Sequence, residues 1–205
     1  FQPEDSTLQE REERKQRLLA ERDADPIAFI QQALSLGEAA SGMKITYDVF
    51  FKPEWGAVID YLASQRTIKF IHLVRNNGLR RYVSEQILYA GGPIHSAAGG
   101  RSEKSMQIDI NIDAFIAREK LMAASADRFL QHIAGAPLLE LSYEELAQDI
   151  SDSIARTCLF LEPSIDASAI VPALKKVGAA DLRESVSNYE DLLQHEATRS
   201  FVLQD

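Results

Sequence analysis

Ile68-Lys69-Phe70-Ile71-His72-Leu73-Val74 runs straight into Arg75-Asn76-Asn77-Gly78. The first seven residues are nearly continuous in apolar character, which predicts a strand buried on both faces of a parallel sheet. A helical segment follows from about Leu79 to Leu88. Upstream, Pro53 opens a predicted helix through Ser64 that carries Trp55, Val58, Ile59 and Leu62, and Gly42 to Tyr47 reads as a short strand. Downstream come a long helix over about 112–133, a third short strand at Leu138-Leu139-Glu140-Leu141, and a helix starting at Tyr143. Another helix covers 150–161 and is closed off by Pro163. Strands and helices in this alternation predict an α/β fold: a mostly parallel central sheet flanked by helices, joined by right-handed crossovers.

The flanks add helices. Residues 7–22 are charge-dense, with Glu10, Glu12 and Glu13 three or four positions from Arg14, Lys15 and Arg17, the spacing of pairs on a solvated helix face. Asp25-Pro26 pairs an N-cap with proline at the first helical position, and that helix runs to about Leu36 with Ile27, Ile30, Ala33 and Leu34 on its apolar face. Residues 90–105 are rich in Gly, Ser and Ala and read as a mobile loop. The stretch from Val171 to Leu193 reads as helix in two pieces around Gly178. No internal repeat and no second domain is evident, so residues 1–205 are expected to form a single domain.

Charge narrows the function. A net charge of −9 argues against a general nucleic-acid surface. Yet residues 66–81 hold Arg66, Lys69, Arg75, Arg80 and Arg81 with no acidic residue among them. A basic patch of that size in an acidic chain suits a small anion held at one place. No apolar run approaches the ~18–20 residues that cross a bilayer, and residues 1–25 are too charged for a signal peptide, so a cytoplasmic location is expected. The lone Cys158 lies in the apolar run Thr157 to Leu161 and reads as a buried thiol. His72 alternates within the predicted strand and reads as a hydrogen-bonded core histidine, while His132 and His195 show no partner pattern. No His, Cys or Asp spacing resembles a metal site or a Ser-His-Asp set.

Arg75 carries the chemistry. An arginine at the C-terminal end of a parallel strand faces the crevice where open α/β sheets take ligands. Ser84 lies nine positions on, in the first turns of the following helix. Guanidinium, hydroxyl and helix-terminal amides together suit a phosphate group. A strand-capping arginine and a surface serine would give the same pattern.

Ile71-His72-Leu73-Val74-Arg75-Asn76 with Ser84 resembles the 3′-phosphate-binding strand and helix of the P-loop sulfotransferases. Leu141-Ser142-Tyr143-Glu144-Glu145-Leu146 with the helix to Leu161 is similar to the family's Tyr-Glu-Asp-Leu segment. Asn188-Tyr189-Glu190-Asp191-Leu192 is similar to the Asn-Tyr-Glu-Glu-Leu stretch of bacterial members, and Gly42-Met43-Lys44-Ile45 to the strand before the acceptor pocket. The resemblance spans about residues 42–195. It implies a P-loop nucleotide-transferase-like sheet and a cytoplasmic bacterial enzyme. That enzyme moves a sulfuryl group from 3′-phosphoadenosine 5′-phosphosulfate (PAPS), without a metal, to the hydroxyl of a sugar, lipid-linked sugar or small alcohol. Arg75 and Ser84 would hold the 3′-phosphate and Tyr143 would contact the adenine. Lys44 would lend charge near the transferred group, and the loop at 90–105 would cover the acceptor pocket.

Two departures accompany it. Residues 1–205 contain no loop of the Pro-Arg-Ser-Gly-Thr type for the 5′-phosphosulfate, and Phe1 falls about where the family's chain emerges from that first β-loop-α unit. The resemblance therefore implies a unit missing at the N-terminus. Cytosolic members place a histidine two residues after the lysine, where this chain has Thr46. Asp48 and His95 both remain candidate bases, as does a residue upstream of Phe1. The alternative reading is a non-catalytic nucleotide- or partner-binding protein of the same fold. A P-loop kinase would need a Walker lysine loop, which the sequence lacks.

Overall fold

A computed structural model of the chain describes residues 7–36, 41–91, 106–171 and 181–204. It is a mixed α/β protein, mostly helical, with one two-stranded parallel sheet among the described residues. The helices are α1 (Leu8–Ala24), α2 (Pro26–Leu34), α3 (Tyr47–Phe50) and α4 (Val58–Ser64). Strand β1 (Phe70–Val74) leads into α5 (Gly78–Tyr89) and α6 (Ile112–His132), and β2 (Leu138–Ser142) into α7 (Tyr143–Gln148) and α8 (Ile150–Leu161). α9 (Tyr189–Gln194) and α10 (Glu196–Val202) end the chain's described part. None of these helices is long and apolar enough to cross a membrane.

The chain folds into two units, Phe1–Ile68 with Ser125–Ala136, and Lys69–Ala124 with Pro137–Asp205. In the first unit, α1 buries no residue, as its charge density predicts. Thr7 and Glu10 close it with a capping box, and Asp25 caps α2 through the amide of Ala28, with Pro26 at the first turn. Ile30, Phe50, Trp55, Val58, Ile59, Leu62 and Phe129 are buried. Two expectations fail here. Residues 41–46 form no strand; no strand among the described residues pairs with them, and the chain instead turns into α3, whose Tyr47 and Phe50 rings lie 6.1 and 6.0 Å from that of Phe129. The helix expected from Pro53 breaks into a 3₁₀ turn, Pro53–Trp55, and α4, with helix-disfavouring Gly56 at the join.

The second unit holds the sheet. β1 and β2 pair in parallel from Phe70↔Leu138 to Val74↔Ser142. β1 is buried on one face and open on the other: Phe70 and His72 are buried, whereas Leu73 is 56% exposed. The expected two-face burial therefore gives way to alternation, because a side chain every second residue points away from the core. His72 is a core histidine as expected, its Nδ1 3.2 Å from Glu140 Oε1 on the paired strand, and Cys158 is buried. Leu79, Tyr82 and Val83 of α5 pack with Ile110, Phe115, Leu182, Val186, Tyr189, Leu192 and Val202. The C-terminal stretch differs from the two-piece helix expected. Leu182–Glu184 is a 3₁₀ turn, Val186 pairs with Ile108 in a parallel bridge, and α9 and α10 follow. The reason is Asn188, whose side-chain amide takes the Ile110 N–H and donates to the Ile110 carbonyl, both at 2.9 Å, where a helix would have used backbone partners. Gly178 and residues 92–105 lie outside the described residues.

Candidate functional site

Parallel pairing carries the C-terminal ends of β1 and β2 to the same edge, so the turns that leave them, residues 75–77 and 142–145, become neighbours. Each turn is built by local capping. Asn77 Oδ1 accepts from the Arg80 amide at 3.0 Å, which starts α5. Ser142 and Glu145 form a reciprocal capping box that starts α7, with Oγ accepting from the Glu145 amide at 3.1 Å and the Glu145 carboxylate accepting from the Ser142 amide at 2.8 Å. Asn77 Nδ2 also donates to the Phe201 carbonyl at 3.0 Å, tying the first turn to α10.

The two turns then clasp each other. Arg75 lays its guanidinium over the Tyr143 ring, 4.5 Å from the centroid, and Nη1 donates to Ser84 Oγ at 3.2 Å. Its Nε is buried and has no hydrogen-bond partner among the described residues. In return the Glu144 carboxylate accepts from the amides of Asn76 and Asn77 at 3.0 and 3.2 Å. Burial pulls the Arg75 guanidinium below its ordinary pKa; nearby Tyr143 and Glu144 oppose this, and Arg80 and Arg81 add to it. Glu144 is shifted downward: burial disfavours its charge, but the two donated amides and Arg75 outweigh that. A carboxyl lowered in the folded state contributes stability above the ordinary glutamate range, which is lost as pH falls through the lower folded value.

Arg75, Ser84 and Tyr143, far apart in sequence, are thus brought together. Lys44 and Asp48 belong to the other unit, Lys44 on the exposed stretch 41–46 and Asp48 in the first turn of α3. His95 lies outside the described residues. Of the amides at this end of α5, those of Asn76 and Asn77, just before the helix, are filled by an internal carboxylate, and that of Arg80 in its first turn by Asn77. The guanidinium and the Ser84 hydroxyl lie beside them. No family model matches this chain, and no curated protein or solved structure does either.

The basic patch divides by role. Lys69 Nζ caps the end of α8, donating to the carbonyls of Phe160 and Leu161 at 2.9 and 2.7 Å. Arg81 pairs with Glu119 and, at 3.9 Å, with Glu85, which Arg118 reaches at 2.6 Å. Those two cations serve packing, and Arg75 faces a hydroxyl and a ring instead.

Sequence reasoning missed Glu144, although a signal existed. Glu145 sits three residues after Ser142 and is committed to the capping box, which leaves its neighbour to face elsewhere. It also missed the partners of His132, whose Nδ1 is 2.9 Å from Asp60 Oδ1, and of His195, whose Nδ1 accepts from the Ala197 amide. A shallow depression of about 430 Å³ lies along Arg183 and Val186 to Asp191, with Arg183 stacked 4.5 Å over Tyr189. Arg75, Ser84 and Tyr143 do not line it. The clasp is the better candidate, because a buried guanidinium nitrogen there lacks an acceptor among the described residues, whereas Arg183 has Asp181 beside it at 3.4 Å. No three His, Cys, Asp or Glu side chains are grouped to hold a metal among the described residues.

Proposed function

We propose that this chain is the nucleotide-holding part of a PAPS-dependent sulfotransferase, with a P-loop nucleotide-transferase-like architecture whose first β-loop-α unit is not among these residues. One observation carries the reading: the three residues that the resemblance nominates for the nucleotide meet at the C-terminal ends of two parallel strands, with Arg75 Nη1 on Ser84 Oγ at 3.2 Å and its guanidinium 4.5 Å from the Tyr143 ring centroid. Open α/β sheets take their ligands at that edge.

The residues fit a phosphate in part. The exposed Ser84 hydroxyl accepts from Arg75 Nη1 and keeps its own proton to donate, so the hydroxyl and the guanidinium beside it are the groups that a phosphate oxygen would meet. When bound, the donor nucleotide supplies the sulfuryl group. Arg75 and Ser84 hold its 3′-phosphate, and Tyr143, with one face given to the guanidinium, offers the other to the adenine. Lys44 is the candidate cation near the transferred group. Asp48 and His95 are the candidate bases for the acceptor hydroxyl of a carbohydrate or small alcohol.

Calorimetric titration with 3′,5′-adenosine bisphosphate tests this. Arg75→Ala should weaken binding about tenfold or more, the loss of one charge-assisted contact to phosphate. Equal affinity in the wild type and the variant removes the site.

A further inference from the structure

We infer that Glu144 is a positioning residue for Arg75, a built-in anion that fixes the turn from which the guanidinium is presented. The inference rests on the nucleotide reading above and adds a residue to it. Its basis is the reciprocity of the two turns. Residues 76 and 77 follow the arginine directly, and their amides both donate to the one carboxylate, at 3.0 and 3.2 Å. Tyr143, next to Glu144, receives the guanidinium on its ring. Each turn therefore supplies the other's partner.

Geometry separates this role from a contact with ligand. The carboxylate is negative and would repel a phosphate placed against it, so it does not serve as a phosphate ligand. Two amides at the entrance of α5 are a natural anion seat, and Glu144 already fills it. A phosphate drawn to this edge therefore does not find those two amides free, and meets the Arg75 side chain and Ser84 beside them. Without the carboxylate, residues 76 and 77 lose the acceptor that sets their orientation, and Arg75 loses the fixed backbone from which it reaches both Ser84 and Tyr143.

A mutant cycle on the 205-residue chain decides the matter, with 3′,5′-adenosine bisphosphate and 5′-AMP as probes. Glu144→Ala should weaken the bisphosphate about tenfold while changing AMP affinity less than about twofold, since AMP lacks the phosphate that Arg75 serves. In an Arg75→Ala background the same substitution should change bisphosphate affinity less than about twofold, because it acts through the arginine. Glu144→Gln keeps one carbonyl acceptor for the two amides and should fall between. An unchanged bisphosphate affinity in Glu144→Ala, or an equal loss with and without Arg75, overturns the inference.

A second measurement does not depend on the nucleotide. Arg75 Nε is buried, so its N–H resonance should exchange slowly in the wild type, fast in Glu144→Ala and slowly in Ser84→Ala. If the wild type shows no preference for the bisphosphate over AMP, the nucleotide reading fails and this resonance alone judges the positioning. Slow exchange retained in Glu144→Ala overturns it.

Discussion

Gly78 is the first residue of α5, and a side chain there would meet a neighbour. A Cβ at that position would overlap the Glu119 carboxylate, which Arg81 holds by an ion pair. Glycine inside a helix normally costs about 0.5–1 kcal/mol relative to alanine. Here the carboxylate is the far end of a flexible side chain that can swing aside at the expense of a partly exposed ion pair, about 0–1 kcal/mol. Gly78→Ala is therefore expected to change stability by less than about 1 kcal/mol in the wild-type background and to raise it when Glu119 is also alanine. Chemical denaturation of the four proteins checks this. A stabilising Gly78→Ala in the presence of Glu119 would show that the pair yields freely.

Asn188 works at the level of elements, joining the segment before α6 to the one before α9. Ile110 is almost fully buried, and its N–H and carbonyl find their partners in the Asn188 side chain. The adjacent bridge repeats the connection through backbone, with Ile108 N–H on the Ser185 carbonyl and Ser187 N–H on the Ile108 carbonyl, both at 2.9 Å. Asn188→Ala strands a buried donor and acceptor and should cost about 1–3 kcal/mol. Asn188→Asp should cost no less, since it sets a carboxylate oxygen against the Ile110 carbonyl. Thermal melts read the difference, and an alanine variant as stable as wild type would mean that water replaces the amide.

For the molecule as a whole, stability of the sheet-bearing unit depends on the core under α5. Phe115 is fully buried, edge-on to Tyr82 at 5.5 Å and to Phe201 at 5.3 Å. Phe115→Ala should cost about 3–5 kcal/mol, a large part of the roughly 5–15 kcal/mol that a domain has in total. The same core supports α5, which carries Ser84, and α10, whose Phe201 carbonyl receives Asn77. Loss of bisphosphate binding should therefore track loss of near-ultraviolet circular dichroism in this variant, whereas Arg75→Ala should lose binding with the spectrum intact. Full binding by a Phe115→Ala protein with a collapsed spectrum would uncouple the site from this core.

Most helices and both strands were legible in the residues. The Thr7–Glu10 and Asp25-Pro26 caps, the apolar run of β1, the Asn77 start of α5 and the Ser142–Glu145 box act within three or four residues, so their physics is written in the local order of the chain. Arg75 and Ser84 were nominated by their place after the strand and their chemistry, and Tyr143 by motif resemblance. What the order of residues left open was every choice made between distant segments. Residues 41–46 are β-rich yet found no ladder among the described residues, β1 was nearly continuous in apolar residues yet buried one face, and two anion-seeking amides went to Glu144. Pairing, burial and the competition for a donor depend on which segments arrive at the same place, and that is settled only when the chain closes on itself.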